Sequence, residues 1–208
     1  TQAPQQLQAI FVGQAEVEDH HIELRGLEHR PQGAALIACK HQGMLDVIAP
    51  FAFLDDACFV MKKELMPLPF FGWFAWRSKM IAVDRAGHAK ALKDMTRQAK
   101  DRLAEGRQIV IFPEGTRTPR GELLGPLQRG AANIAVRGGF DVTPVLVRCE
   151  PRTLGKGEKW YRVPSRRFHL SVDVLPDLPV APFLADGSPE PLAARRLTAA
   201  LGDIFRGE

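Results

Sequence analysis

Residues 89–112, AKALKDMTRQAKDRLAEGRQIVIF, carry the pattern that decides the fold. Apolar residues recur there at three- and four-residue spacing: Leu92, Met95, Ala99 and Leu103. This spacing predicts an amphipathic helix over residues 89–103, and Gly106 stands where a helix C-terminal cap belongs. The short apolar run at residues 108–112 then predicts a buried strand, which Pro113 ends. A helix that leads directly into a buried strand is typical of α/β proteins.

The same alternation continues on both sides of this unit. Further strands are predicted at residues 34–39, 58–61, 80–83, 142–147 and 168–174, and further helices at residues 44–54, 128–136 and 191–205. Pro144 interrupts one strand and favours an edge or irregular position for it. Strands that alternate with helices predict an α/β fold, with a layered, largely parallel sheet flanked by helices. With 208 residues, we expect one domain over residues 1–208.

Composition narrows the class of protein. The hydrophobic fraction of 45% and the charged fraction of 25% are those of a globular chain. The formal net charge of +4 is a mild excess that suits anionic lipid head groups or phosphorylated substrates. No block of five or six basic residues occurs, so we expect no nucleic-acid partner.

The cysteines and most histidines show no metal-binding pattern. Cys39, Cys58 and Cys149 are few, odd in number and widely spaced, which argues against a disulfide framework or a zinc site. Four histidines show no ligand spacing, and most are expected at the surface: His20, His21, His88 and His169. We therefore expect no zinc site at these residues.

Polar motifs follow several of the predicted strands. They begin after Lys40, near Asp84 and after Phe112. In parallel sheets, ligand sites form at the loops beyond the carboxyl ends of the strands. The shared position of the motifs therefore predicts one active site.

The first motif, residues 40–46 (KHQGMLD), has an H-x4-D pattern. Five residues turn about 140° beyond a full helical turn, so His41 and Asp46 can meet only where the chain bends. Gly43 gives the chain freedom to bend there. Asp46 would then accept the proton of one imidazole nitrogen and leave the other nitrogen free to deprotonate a substrate hydroxyl. Taken alone, this short pattern is also met in helix caps and surface histidines.

The motif at residues 109–117 (IVIFPEGTR) combines a strand with a tight polar turn. Gly115 permits close approach of a ligand to the backbone, and Arg117 offers a planar donor suited to phosphate. Between the two motifs, residues 80–85 (MIAVDR) form a strand that ends in Asp84 and Arg85. Arg85 is a second candidate for phosphate binding, and a surface ion pair is the alternative.

Together these motifs resemble the glycerophospholipid acyltransferase family, specifically the bacterial 1-acyl-sn-glycerol-3-phosphate acyltransferases. The family's NHxSxxD block is similar to residues 40–46, and its FPEGTRS block to residues 112–118. Its second block is similar to residues 63–65, 69–73 and 83–85, and its proline-bearing fourth block to residues 142–145. The blocks occur in the family's order over a motif-bearing core of about residues 36–148. The C-terminal strand, loop and helix at residues 149–208 resemble the family only weakly.

The resemblance implies transfer of an acyl group from acyl-CoA or acyl carrier protein to the free hydroxyl of 1-acyl-glycerol-3-phosphate, which makes phosphatidic acid. It implies no metal and no cofactor. It implies that His41 is the catalytic base and that Asp46 is its partner. Residues of the second and third blocks would bind the phosphorylated acceptor: Arg85, Glu114, Gly115, Thr116 and Arg117. Pro144 would belong to the acyl-donor region.

Two positions depart from the family pattern. Lys40 replaces the usual Asn, and Gly43 replaces the usual Ser. These changes leave the His and Asp in place but bear on the choice of acceptor. Residues 154–167 form a basic stretch that the resemblance does not explain; a solvated loop is expected, with a lid or a donor-docking site as alternatives.

An aromatic cluster predicts contact with a membrane surface or with the acyl chain. Its members lie among Lys62, Lys63, Arg77 and Lys79. They are Phe70, Phe71, Trp73, Phe74 and Trp76. Aromatic rings flanked by cations suit the head-group region, although such clusters also occur in protein cores.

No run of about 18 uncharged apolar residues occurs, as a membrane-spanning helix would need. We expect a position at the cytoplasmic face of the inner membrane, either peripheral or through an N-terminal anchor that this chain lacks.

Three other functions remain open at this stage. An acyltransferase for a different lysolipid or a specialised-metabolite lipid would share the same motifs. A non-catalytic lipid-binding module would keep Arg85 and Arg117 but would not need the His41–Asp46 pair. A hydrolase would need an activated water or a nucleophile, and the chain has no G-x-S-x-G motif, while Cys39 falls in a buried strand.

Overall fold

The computed structural model describes residues 21–159, 161 and 164–207. Within them, strands form one seven-stranded sheet in the order β1-β7-β6-β2-β5-β3-β4. The strands are β1 (His21–Arg25), β2 (Ala35–Cys39), β3 (Ala57–Lys62), β4 (Ile81–Val83), β5 (Gln108–Ile111), β6 (Val142–Glu150) and β7 (His169–Val174). The helices are α1 (Phe71–Arg77), α2 (His88–Ala104), α3 (Gly130–Gly138), α4 (Ala181–Leu184) and α5 (Glu190–Arg206).

The sheet is largely parallel, as predicted. Each described pair of neighbouring strands is parallel except β6 and β7, which are antiparallel. The carboxyl ends of β2, β3, β4 and β5 therefore meet at one edge of the sheet. The predicted α/β class is confirmed.

Alternation along the buried strands gives the sheet two packed faces. Leu36, Ile109 and Ile111 join a core beneath helices that contribute Met95, Ile134 and Leu197. Ile37, Cys39 and Val110 point the other way, into a second core with Phe53 and Phe59. Successive residues of a strand face opposite sides, so this alternation also decides where the residues after β2 project.

The predicted helix at residues 44–54 is wrong in type. The chain forms two 3₁₀ turns instead, Leu45–Val47 and Ala49–Ala52. Pro50 lies in the first turn of the second segment and lacks an N–H, so a continuous α-helical hydrogen-bond ladder cannot form across it.

The edge position expected for the strand that contains Pro144 is also wrong. Strand β6 lies inside the sheet between β7 and β2. The Pro144 carbonyl accepts the Leu175 N–H at 3.0 Å, one residue beyond the end of β7. The missing N–H thus falls where the β6–β7 ladder ends, which explains how an interior strand accommodates a proline.

Elements β1, α1 and α4 were not predicted. Strand β1 pairs only with β7 in the described sheet, and α1 and α4 span only seven and four residues. None of the helices in the described part of the chain is long and apolar enough to cross a membrane.

Candidate active site

The turn after β2 brings His41 and Asp46 together. His41 Nδ1 lies 3.2 Å from Asp46 Oδ2. The same carboxylate oxygen accepts the Gly43 N–H at 2.7 Å and the Gln42 N–H. Asp46 is 1% exposed, while the His41 side chain is 15% exposed. With the Nδ1 proton held by Asp46, Nε2 of His41 is left as a proton acceptor that a ligand can reach.

The neighbouring strand supplies the second wall of the site. Phe112 directly follows β5, and its ring stacks on the His41 ring with the centroids 4.3 Å apart. Phe59 extends this stack on the other side of Phe112, at 6.3 Å. The imidazole is therefore fixed by a carboxylate at one atom and by an aromatic face, which restricts both its tilt and its rotation.

Glu114 faces the protein rather than a ligand. Its carboxylate is buried; Oε1 accepts the His41 N–H at 2.9 Å, and Oε2 accepts the Gly125 N–H at 2.9 Å and the Thr118 hydroxyl. A buried carboxylate whose oxygens already bind protein donors is poorly suited to hold an anionic phosphate. The structure therefore places Glu114 as a support for the turn at residues 40–46, which we call the catalytic turn.

Arg85 and Gly115 are neighbours at the edge of the site. Arg85 is exposed, and its guanidinium lies about 4 Å from where a side chain on Gly115 would begin. Gly115 has a φ of 66°, a conformation that favours glycine. The turn thus leaves an open backbone surface beside a cation, and Thr116 next to it is exposed.

Arg117 is partly committed to the protein. Its Nη1 donates to the Leu154 and Gly155 carbonyls at 2.9 and 3.0 Å. These bonds join the turn after β5 to residues 154–155, so at least the start of the unexplained basic stretch is part of the site's wall. Trp160, Arg162 and Val163 of that stretch lie outside the described residues.

Pro144 exposes no surface that an acyl donor could contact. It is buried in β6, where its register partner on β2 is Ala38. It therefore lies within the sheet beneath the catalytic turn.

Arg152 is a site residue that sequence reasoning missed. Its guanidinium donates to the Gln42 carbonyl at 3.1 Å, to the Pro119 carbonyl at 2.9 Å and to the Thr118 carbonyl. One side chain thus clamps the turn after β2 to the turn after β5. No local pattern marks this arginine, because each of its three partners lies more than 30 residues away along the chain.

Lys40 and Gly43, the two departures from the family pattern, both have structural reasons. Lys40 is buried on the opposite side of the sheet from His41, and its Nζ donates to the Phe205 carbonyl at 3.2 Å. Burial lowers the pKa of the Lys40 ammonium, and the nearby Glu114 carboxylate opposes that shift. A side chain at Gly43 would begin 2.9 Å from the Thr153 carbonyl. The segment after β6 therefore occupies the space that a serine side chain would need.

The aromatic segment, residues 65–76, lies beyond β3 at the same edge of the sheet and is strongly exposed. Phe70, Trp73 and Trp76 are 88%, 65% and 67% exposed. Phe71, Phe74, Leu65 and Leu68 are also exposed, whereas only Gly72 and Ala75 of α1 are buried. The predicted aromatic residues thus expose large apolar side chains within one short segment, as interaction sites often do.

Neither a thiol nucleophile nor a metal cluster is evident in the part of the chain described. Burial raises the pKa of the Cys39, Cys58 and Cys149 thiols, which disfavours the reactive thiolate. No group of three or more His, Cys, Asp or Glu residues among those described is placed to hold a metal ion.

Comparison with known proteins identifies relatives of one kind. A family model described as Acyltransferase matches residues 21–148. A 1-acyl-sn-glycerol-3-phosphate acyltransferase from Pseudomonas aeruginosa is 39% identical over 123 residues, covering 59% of this chain and 48% of the relative. The Helicobacter pylori protein of the same name is 36% identical over 55% of this chain and 48% of the relative. The human 1-acyl-sn-glycerol-3-phosphate acyltransferase alpha is 28% identical over 89% and 64%.

A solved structure shares the fold. The crystal structure of the 1-acyl-sn-glycerophosphate (LPA) acyltransferase from Thermotoga maritima matches with a TM-score of 0.66 and 19% identity, over 96% of this chain and 78% of that one. The matched part spans about half the length of the bacterial relatives, which are longer proteins. The family match extends over more than half of the present chain and includes the turns that carry His41, Asp46, Arg85 and Arg117. The chain belongs to the acyltransferase family.

Proposed function

We propose that the protein transfers a fatty acyl group from an acyl thioester to the free hydroxyl of 1-acyl-glycerol-3-phosphate, which yields phosphatidic acid. The observation that carries the proposal is the His41–Asp46 pair, in which Asp46 is buried and the imidazole remains partly exposed. The names of the relatives support the choice of acceptor.

The chemistry needs no covalent enzyme intermediate. His41 Nε2 takes the proton of the acceptor hydroxyl, and that oxygen attacks the thioester carbonyl carbon. The tetrahedral intermediate then collapses, the carbon–sulfur bond breaks, and the imidazolium returns the proton to the departing thiolate. Asp46 stabilises the imidazolium between these two proton transfers, as a carboxylate partner does in a catalytic triad.

The tetrahedral oxyanion also needs donors. The Thr116 and Arg117 N–H groups donate to no acceptor among the described residues, whereas the N–H groups of His41, Gln42 and Gly43 are all engaged. The turn after β5 is therefore the better source of backbone donors for the oxyanion.

The acceptor phosphate would lie beside Arg85. This arginine is exposed and adjoins the open backbone at Gly115, and it follows β4 at the same edge of the sheet as His41. Arg117 adds positive charge nearby, although two carbonyls already hold one of its nitrogens. A cation that is not yet committed gains more from a phosphate than one that must give up existing bonds.

The aromatic segment would place this site against a bilayer. Exposed tryptophans suit the head-group region, and Lys62, Lys63, Arg77 and Lys79 around the segment are exposed and suit anionic lipid. Both lipid substrates could then reach His41 without crossing water. We propose that the protein acts at the cytoplasmic face of the inner membrane.

The test is thiol release from palmitoyl-CoA, with and without lysophosphatidic acid, for the wild type and for His41→Ala. The proposal expects release that requires the acceptor and is lost in the variant. Acceptor-dependent release by His41→Ala at a near-normal rate would contradict the role given to His41.

A second candidate, acylation of a different lysolipid, is favoured by one observation. Residues 152–155 pack against Gly43 and Arg117, so the wall of the site differs from one built around the family's serine. Competition between lysophosphatidic acid and lysolipids with other head groups would decide between the acceptors by their ratio of kcat/KM.

A further inference from the structure

The proposed reaction joins two substrates that both carry phosphate. The acceptor phosphate is accounted for by Arg85 and Arg117, in the turns after β4 and β5. An acyl-CoA donor carries further phosphate groups on its nucleotide, far from its thioester. The motif residues leave this second anionic part without a binding site.

A cationic groove lies on the helical side of the same edge of the sheet. It has a volume of about 450 Å³ and runs between the loop before α3 and the helix α5. Arg129, Arg195 and Arg206 line it, and no acidic side chain does. A volume of this size is in the range of small-molecule sites.

The arginines of the cationic groove differ in whether their charge is already paired. Arg129 and Arg195 are exposed and form no ion pair with a described residue. Arg206 pairs with Asp203 on its own helix, and its charge is therefore partly offset. Arginine recognises phosphate through paired donors, so grouped arginines without lining carboxylates favour a polyanionic ligand.

The rest of the lining fits a nucleotide better than a bare phosphate. Leu124, Leu127 and Ala199 contribute apolar surface between the arginines. A purine ring can pack on such surface while its phosphates meet the guanidinium groups. A surface designed only for lipid head groups would instead be flanked by exposed aromatic residues, as the aromatic segment is.

Two hydrogen-bonded routes connect the cationic groove with the catalytic turn. Gly125 of the groove donates to Glu114 Oε2, while Glu114 Oε1 accepts the His41 N–H. At the other end, the carbonyl of Phe205, next to Arg206, accepts the Lys40 ammonium, and Lys40 directly precedes His41. The groove is thus joined to the backbone of His41 through a single carboxylate, that of Glu114.

We propose that the cationic groove binds the phosphate-bearing nucleotide of an acyl-CoA donor, and that the flexible pantetheine arm passes over the turn after β5 to bring the thioester to His41. This inference rests on the proposed acyl transfer for its physiological meaning. The binding itself is independent of turnover and can be measured without it.

The experiment uses the full chain and adenosine 3′,5′-bisphosphate as the probe, with binding measured by calorimetry. The variants Arg129→Gln and Arg195→Gln remove one charge each. Arg196→Gln is the matched control, since it removes the same charge from the next position of α5 but lies outside the groove. Steady-state KM and kcat for palmitoyl-CoA are measured on the same proteins, and thermal melting shows that each is folded.

We expect each groove variant to bind the probe about tenfold more weakly, because it loses a charge-assisted contact to phosphate. The KM for palmitoyl-CoA should rise by a similar factor with kcat kept, while Arg196→Gln matches the wild type. Equal probe binding by wild type and groove variants would overturn the proposal. So would variants that raise the KM for an acyl carrier protein donor but not for palmitoyl-CoA, since the groove would then serve the carrier protein.

Failure of the proposed function gives a different result. If the wild type transfers no acyl group from any donor, yet binds the probe and loses that binding in the groove variants, the nucleotide site stands and the acyltransferase assignment fails. If transfer is normal and probe binding is absent, the acyltransferase stands and the nucleotide site fails.

Discussion

The catalytic turn and the aromatic segment lie at the same edge of the sheet and break the usual rule of burial in opposite ways. The catalytic turn buries an acidic side chain, Asp46, and directs three protein donors to one of its oxygens, Oδ2. The aromatic segment exposes rings that most proteins bury, Phe70, Trp73 and Trp76 among them. The buried carboxylate costs stability through its desolvation, whereas the exposed rings lack the stability that their burial would give.

The difference teaches what each region is for. A buried carboxylate is worth its desolvation when it orients another group, here the imidazole of His41. Exposed rings are tolerated when another apolar phase covers them during function. In the proposed function, the first region performs the chemistry and the second brings it to a lipid surface. Substitutions in the catalytic turn should therefore leave membrane binding unchanged, and substitutions in the aromatic segment should leave the fold unchanged.

The largest effect is expected from Asp46→Asn. The amide oxygen can take the place of Oδ2, but a neutral amide cannot stabilise the imidazolium, so kcat should fall about 10³-fold. Initial rates of thiol release measure this. Vesicle binding by the same variant should match the wild type, and an equal loss of vesicle binding would mean that the two regions are not separate. Asp101→Asn, at an exposed ion pair on α2, is the control for a lost carboxylate.

The reverse separation is expected from the double variant Trp73→Ala, Trp76→Ala. Each ring would contribute about 1.5–3 kcal/mol on entering an apolar phase, so the loss of both should lower the affinity for anionic vesicles at least about a hundredfold. The melting temperature should stay close to that of the wild type, because both rings are already exposed in the fold. Co-sedimentation with vesicles measures binding, with Leu192→Ala on α5 as the control. A large drop in melting temperature would show that the rings belong to the core.

Sequence patterns predicted the sheet and the paired turns because those depend on local, periodic signals. The apolar runs of β2 and β5 and the spacing in α2 are read directly from neighbouring residues. The contact of His41 with Asp46 follows from the bend after β2, and its contact with Phe112 follows from the parallel pairing of β2 with β5. The type of segment after β2 was mispredicted because Pro50 disrupts a helix that the apolar pattern alone favours.

The rest of the site depends on contacts between distant parts of the chain. Glu114 resembles a ligand-binding residue in its motif, yet its oxygens meet backbone donors from His41 and Gly125. Arg152 and Lys40 act through carbonyls far along the chain, which no local spacing reveals. The interior position of Pro144 depends on where its partner strand ends.

Arg85→Gln and Glu114→Gln should separate two roles within the site: binding of the acceptor by Arg85 and stabilisation of the catalytic turn by Glu114. Arg85→Gln should raise the KM for the acceptor about tenfold without a change in melting temperature, because this arginine is exposed and faces the ligand side. Glu114→Gln should lower the free energy of unfolding by about 1–3 kcal/mol, because the amide places a donor against the Gly125 N–H or the His41 N–H. Steady-state kinetics and urea unfolding measure the two effects. An acceptor KM that rises in Glu114→Gln at unchanged stability would restore Glu114 to the phosphate site.

The smallest effect is expected from Gly43→Ser, which restores the residue usual in the family. The new side chain would begin 2.9 Å from the Thr153 carbonyl, so we expect a loss of about 1–3 kcal/mol in the free energy of unfolding. Gly43→Ala should show most of this loss, since it adds the same first carbon. A serine variant as stable as the wild type would mean that residues 152–155 do not occupy the serine's space.

The central claim is direct transfer, in which the acceptor hydroxyl activated by His41 attacks the thioester without an acylated enzyme. The most direct measurement mixes the protein with palmitoyl-CoA in the absence of acceptor and records thiol release and the intact protein mass, before and after lysophosphatidic acid is added. The account predicts no burst of thiol and an unchanged protein mass until the acceptor arrives, and then thiol and phosphatidic acid in equal amounts. A burst stoichiometric with the protein, together with a mass increased by one palmitoyl group, would contradict it.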